Sequence, residues 1–421
     1  MSSTSKSGME LRFLFIGLLL LGLGLSCNQW LVAQFVGLLG INLNLVGTDG
    51  LARLWFLKSV FVLMGLPLVF YKFRHDSRGR LLFDISMGLV FMLITLITVE
   101  GIFYALNLRK MASTPQITTT YSQVYIEPDE ELGYTLKPLT RATAIQKQGD
   151  EVVYDVTYTT DALGRRPTPI DKPDERSHFI LFFGGSYTFG DGLWDDETLP
   201  AQVGELAPEY KPYNYGVPGY GTQQLLVKLQ SDEILDEVPE RDGIAIYVFI
   251  CAHIKRVIGT TDVQNTWGRY LPYYFLDAND QLVRQSDLVT ARPWLSAIDA
   301  LVGISQTGKY FNITLPRIND NHRRLTARII AEAQQSFRDK YQSDAFYVLI
   351  YPHNPCAAEI IPFLEEVNVK VLDYSTLFKF GDAGLWIPDG HPTASAQKIV
   401  AQKLVTDLGL ADNEAKHESL Q

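Results

Sequence analysis

His178-Phe-Ile-Leu-Phe-Phe-Gly-Gly-Ser186-Tyr-Thr-Phe-Gly190 decides the fold. The run His178–Phe183 is what a strand covered on both faces requires. Gly184 and Gly185 let the backbone turn tightly after it, and Ser186 stands just past the turn. Other strand-like runs lie at Tyr213–Tyr215, Gly243–Cys251, Ala345–Tyr351 and Val369–Asp373. Helical patterns separate them at Thr222–Leu235, Asn319–Tyr341, Ala357–Val367 and Thr393–Leu408. Strands alternating with helices predict an α/β domain with a parallel sheet covered on both faces. Such sheets carry their sites at the carboxyl ends of the strands, where Ser186 and His253 both fall.

The domain sits on an apolar N-terminal region. Residues 13–35, Leu54–Tyr71 and about 82–106 each approach the ~20 residues needed to cross a bilayer. Three transmembrane helices are therefore expected within residues 1–111. Lys72, Arg74, Arg78 and Arg80 crowd one short loop and place it in the cytoplasm, with Lys6 and Arg12 on the same side. Everything after about residue 110 then lies outside the cytoplasm. A lipoprotein-like cleavage site before Cys27 is the weaker reading, because apolar runs continue beyond it. Glu100 inside the third run is costly in lipid and becomes a functional-site candidate by default.

Charge separates the two parts. Residues 1–111 hold ten Lys/Arg against five Asp/Glu, a net of +5; the rest hold 27 against 42, a net of −15. An acidic exterior argues against nucleic acid as a partner. The three cysteines, Cys27, Cys251 and Cys356, suggest no disulfide framework or zinc spacing. His253, His353 and His391 lack paired ligand spacing, so neither a metal nor a cofactor is expected. Residues 112–175 read as a stalk and a small β-rich lead-in, and 176–410 as the main domain. An aromatic insertion at about 254–318 includes Trp267 and Trp294, and a polar tail covers 411–421.

Ile387-Pro-Asp389-Gly-His391-Pro precedes the last helix. His391 is placed to act as general base on Ser186, with Asp389 fixing its tautomer. Taken alone, each piece has a plainer reading: Ser186 as a helix N-cap, Asp389-Gly390 as a turn. No Lys-Ser/Thr follows the glycines, which excludes a P-loop. Thr188 stands where a G-x-S-x-G elbow needs its last glycine. Asn214-Tyr-Gly216-Val-Pro-Gly219 forms a glycine-rich loop whose N–H groups suit an oxyanion hole. His253 is either a further oxyanion donor or a satisfied core histidine.

Together these loops resemble the SGNH (GDSL-like) hydrolase superfamily over about residues 175–410. Gly185-Ser186 is similar to its first block and Asn214…Gly219 to its second, whose glycine donates to the oxyanion. Asp389-Gly-His391 is one residue shorter than the usual fifth block and is similar to that of polysaccharide O-acetylation proteins. Cys251-Ala-His253 stands where the third block offers Asn. Thr160-Asp-Ala-Leu-Gly-Arg165 looks like segments preceding some bacterial members. The resemblance implies a three-layer α/β/α sandwich with a flavodoxin-like sheet. It also implies acyl transfer through acyl-Ser186, with Ser186, Gly219 and His253 holding the oxyanion and Gly185 and Asn214 in support. The expected setting is a bacterial cytoplasmic membrane with a periplasmic catalytic domain. An esterase acting on an acylated envelope glycan or lipid is one reading. An O-acyltransferase fed by an acyl-donor membrane protein is a second, and a non-enzymatic scaffold a third.

Overall fold

The computed structural model describes residues 3–26 and 48–411. The chain divides into two compact units, Met1–Ser113 with Ala297–Thr314, and Thr114–Ser296 with Leu315–Gln421. Cys27 and residues 412–421 lie outside the described residues.

In the second unit five strands build the sheet: β1 (His178–Gly184), β2 (Tyr210–Gly216), β3 (Gly243–Phe249), β4 (Phe346–Ile350) and β5 (Lys370–Asp373). Their order is β5-β4-β3-β1-β2, every pair parallel. Read from the other edge this is 2-1-3-4-5, the flavodoxin-like order of a doubly wound fold. Period-two alternation sends β1 into both faces. Leu181 and Phe183 join Tyr247, Phe249 and Val348 against the helices Thr222–Gln230, Asp320–Tyr341 and Ala357–Glu366. Ile180 and Phe182 join Ile246 and Leu349 against Leu199–Leu206 and Ala394–Leu408. The chain reverses its winding between β1 and β3, and a crevice opens there at the carboxyl ends, beside Ser186.

Several boundaries differ from expectation. β2 begins at Tyr210, because Pro212 is tolerated on an edge strand. The helix expected over Thr222–Leu235 stops at Gln230, where Ser231 turns extended, and a short helix Glu233–Glu237 follows. Residues 254–318 are not one insertion. Ala252–Ile258 is a helix against the sheet, Pro272–Leu276 and Leu282–Asp287 form a hairpin, and Ala297–Thr314 belongs to the first unit. Cys251 and Cys356 form a disulfide across 105 residues, correcting the expectation of none. Their separation in sequence hid the pair; the adjacent ends of β3 and β4 bring the Cα atoms to 5.8 Å.

The lead-in is an antiparallel sheet of Ile117–Tyr121, Arg141–Gln148 and Glu151–Thr159. Arg166 follows it, its side chain fully buried. It pairs with Asp195 at 2.8 Å and donates to the carbonyls of Phe189, Gly190 and Leu193. It thereby fixes the loop that follows Ser186.

In the first unit, among the described residues, one helix, Ser77–Ser113, is long and apolar enough to cross a membrane. This is one span where three were expected; the other two runs lie only partly within the residues whose side chains are described. The helices Ser3–Ser26 and Thr48–Phe70 pack closely, since a Cβ at Gly17 would stand 2.9 Å from the Gly65 carbonyl and the converse also holds. The absence of side chains at both glycines lets the two backbones approach in this way. Glu100 caps the short helix Gln306–Tyr310, accepting from Ser305 Oγ at 2.8 Å and from the Gln306 and Thr307 N–H groups. Phe103 packs on Tyr310 and Phe311, and Asn107 donates to the Gln306 carbonyl at 3.0 Å. Glu100, Phe103 and Asn107 lie on one helix face, so Glu100 anchors a chain segment there.

Replacing Arg166 by Met should lower stability by about 3–5 kcal/mol, because Asp195 and three carbonyls lose their partner. Chemical denaturation checks this; a midpoint equal to wild type would show the clamp to be dispensable.

Candidate active site

Ser186 opens a single helical turn, Ser186–Phe189, directly after β1. Gly184 holds φ +154°, and a Cβ there would sit 2.2 Å from Thr188 Oγ1, so only glycine fits the turn. From the far end of the domain, the loop before Ala394–Leu408 brings His391 alongside. Tyr187 holds that loop by donating its hydroxyl to the Gly390 carbonyl at 2.7 Å.

His391 Nε2 lies 2.8 Å from Ser186 Oγ. Its Nδ1 lies 3.0 Å from Asp389 Oδ1, although the N–H direction misses that oxygen. The contact is therefore close without being an aligned hydrogen bond, and it becomes an ion pair when His391 takes up a proton. Asp389 Oδ1 also accepts the His391 backbone N–H at 3.0 Å, and Oδ2 accepts from Gln146 Nε2 at 2.7 Å. A second carboxylate, Asp191, stands 3.9 Å from His391 Nε2 and accepts the Tyr158 hydroxyl at 2.6 Å.

These contacts set the charges. Burial works to raise the Asp389 carboxyl, but the adjacent His391 imidazole, the Gln146 amide and the His391 backbone N–H overcome it and hold it at about 2. Burial works to lower His391, and Arg256 does the same; Asp389 and Asp191 outweigh them and raise it above the ordinary 6.5. The arrangement can accept a proton from Ser186 on His391 and hold the resulting imidazolium between two carboxylates.

The remaining expected residues are placed as follows. Gly219 lines the same cleft as Ser186 and His391, with its carbonyl accepting from Trp267 Nε1 at 3.3 Å. Asn214 is buried, donating to the Thr188 carbonyl at 3.0 Å and accepting from Gly216 N–H at 2.9 Å, so it braces the turn. His253 is buried with Nδ1 2.7 Å from the Tyr247 hydroxyl, while its Nε2 has no hydrogen-bond partner among the described residues. Burial, and then the Arg256 charge, push His253 well below its ordinary range, so it is neutral. A Cβ on Gly185 would fall 2.6 Å from Arg256 Nη1 and 3.3 Å from His253 Nε2, which explains the glycine. The cleft measures about 1530 Å³ and is walled by Tyr121, Tyr125, Tyr134, Trp267 and Tyr270. Among the described residues no group of His, Cys, Asp and Glu is arranged to hold a metal ion.

Sequence reasoning missed Asp191, Gln146 and Arg256. Asp191 sits between Gly190 and Gly192, five residues past Ser186, a turn signal that could have marked it. Gln146 continues the inward alternation Ala142, Ala144, Gln146 along its strand, where a polar residue stands out. Arg256 shares a helix face with His253 at i, i+3.

No protein-family model matches the chain, and no curated protein does. Solved structures are similar to it, among them the three that follow. One, described as a lipolytic protein of the G-D-S-L family from Desulfitobacterium hafniense DCB-2, is 14% identical, with a TM-score of 0.31, covering 54% of this chain and 97% of that one. The acetyl xylan esterase Est2A of the rumen bacterium Butyrivibrio proteoclasticus is 10% identical, with a TM-score of 0.33, covering 58% and 66%. A structure described as a GDSL-like lipase from Bacteroides ovatus ATCC 8483 is 11% identical, with a TM-score of 0.31, covering 71% and 83%. At such low identity and overlap, the chemistry has to be read from this chain's own residues.

His391 must be unprotonated to accept the serine proton, and its affinity for protons is raised. The acidic limb of kcat/KM for Ser186-dependent ester turnover should therefore have its midpoint above 6.5. Asp191→Asn removes one raising charge and should move that midpoint to lower pH. A pH–rate profile identical to wild type would mean that Asp191 does not act on His391.

Proposed function

We propose that the chain is a membrane-anchored serine esterase of SGNH type. The observation that carries this reading is the 2.8 Å contact between His391 Nε2 and Ser186 Oγ, with Asp389 behind the imidazole. Ser186 Oγ attacks the carbonyl carbon of an ester while its proton passes to His391 Nε2. The carbonyl electron pair moves to oxygen, where the N–H groups of Ser186 and Gly219, which line the same cleft, and the nearby His253 would hold it. The intermediate collapses, the bond to the leaving alcohol breaks, and His391 returns the proton to that alcohol. Water then repeats the cycle on acyl-Ser186 and releases the carboxylic acid.

The substrate class follows from the cleft. Its size and its aromatic wall suit an O-acyl ester carried on a large glycan or lipid, since flat rings stack on the apolar faces of such groups. The anchor is the helix Ser77–Ser113, with the basic loop before it cytoplasmic and the domain after it periplasmic, in the cytoplasmic membrane of a bacterium. An inverted helix supports this setting. Pro293–Ile304 turns Trp294, Leu295, Ile298 and Leu301 outward while burying Ser296 and Asp299. An apolar outer face of this kind fits lipid better than water.

Full-length protein in detergent should turn over p-nitrophenyl acetate, and Ser186→Ala should abolish this without changing its thermal unfolding. Undiminished turnover in Ser186→Ala would end the triad reading. Adding an oligosaccharide acceptor separates the two enzymatic readings: an unchanged rate supports an esterase, whereas acceleration with acetylated sugar as product supports a transferase. A phosphatase reporter fused after residue 110 should be active only outside the cytoplasm; activity inside would overturn the orientation.

A further inference from the structure

Arg256 stands in the wall of the cleft, among the described residues without an anionic partner. It lies on the helix Ala252–Ile258, one turn past His253, and is 7% exposed. Its Nη1 donates to the Tyr220 carbonyl at 2.5 Å, and its Nε has no partner among the described residues. The groups acting on its charge are burial and the tyrosines Tyr134, Tyr247 and Tyr187, with no carboxylate among them. The buried Arg166, which holds the loop after Ser186, is by contrast paired with Asp195. A buried cation left without a counter-charge is costly, and a fold keeps one where a negative charge arrives.

The place where a negative charge arrives is next door. A Cβ on Gly185 would be 2.6 Å from Arg256 Nη1, and Gly185 immediately precedes the nucleophile. Arg256 and Ser186 line the same cleft. His391 also reaches Ser186, with Asp389 and Asp191 beside its imidazole. Carboxylates therefore flank the imidazole, and a guanidinium lies against Gly185, the residue before the nucleophile. Neither Cys251 nor Ala252, the residues leading into this helix, has a side-chain amide to donate, and the Cys251 backbone N–H is taken by Asn354 Oδ1 at 2.8 Å.

We infer that Arg256 is a catalytic residue that stabilises the oxyanion of the tetrahedral intermediate at Ser186. This rests on the esterase reading above and adds to it a charged donor that holds the carbonyl oxygen. The alternative, that Arg256 binds an anionic group of the substrate, predicts a different dependence on the ester's charge.

The test uses full-length protein in detergent with neutral p-nitrophenyl acetate and anionic p-nitrophenyl hemisuccinate. Arg256→Met should lower kcat on the neutral ester about 10²- to 10³-fold with KM little changed, the loss typical of an oxyanion donor. Arg256→Lys should recover part of this, since it restores charge without the planar fork. In Arg256→Met the acidic limb should also move to higher pH, because a cation that lowers His391 has gone. Thermal unfolding separates these effects from misfolding; if Arg256→Met does not fold, Arg256→Gln, neutral and polar, carries the test, and wild-type kcat in it would contradict the inference. Wild-type kcat on the neutral ester in Arg256→Met, with a loss confined to the hemisuccinate, would overturn it in favour of a substrate-anion subsite. Absence of Ser186-dependent turnover in the wild type would bring down the esterase reading, and this inference with it.

Discussion

The contact between His391 Nε2 and Ser186 Oγ joins residues 205 positions apart, and most of the second unit exists to hold it at 2.8 Å. β1 is buried on both faces and delivers Ser186 to the carboxyl edge of the sheet, where Gly184 turns the chain by a conformation only glycine tolerates. The last helix, packed by Ala396, Val400 and Leu404 on the opposite layer, delivers the His391 loop to the same edge. Tyr187 then ties the two together through the Gly390 carbonyl. A shift of about 1 Å in either support would cost orders of magnitude in rate for any chemistry done there.

Charge around this contact is arranged with the same economy. Asp389 and Asp191 flank the imidazole from different parts of the chain, and each is itself held by a lead-in residue, Gln146 and Tyr158. The β-rich lead-in therefore completes the site. Arg166 extends the same logic, since the loop it clamps carries Asp191. Opposite them, neutral His253 and charged Arg256 press against Gly185. Positive charge generated on His391 and negative charge generated on a bound carbonyl oxygen would each form beside a group of opposite sign, in surroundings where water screens little.

Much of this was legible in the sequence, for identifiable reasons. The central strands announce themselves as apolar runs ended by turns, because a strand buried on both faces has no polar side to show. The Asp389-Gly-His391 loop, which the structure places against Ser186, was legible as a polar pair at a helix start. What the sequence concealed was contact made at a distance. The Cys251–Cys356 disulfide depends on β3 and β4 being neighbours, a fact of strand order. Gln146 and Asp191 depend on how the lead-in packs, and nothing local marks a strand glutamine as a partner of an aspartate 243 residues away. Glu100 showed as an anomaly in an apolar run, but its partners, Ser305 to Thr307, lie some 200 residues on.

The central claim is covalent: an ester's acyl group rests on Ser186 before water removes it. Acid quenching of the full-length protein during turnover of p-nitrophenyl acetate, followed by peptide mass spectrometry, tests it most directly. The account predicts an acetyl adduct on the peptide containing Ser186, absent from Ser186→Ala and scarce in His391→Ala. Steady turnover with an adduct on another residue, or turnover of the same rate in Ser186→Ala with no adduct at all, would contradict it.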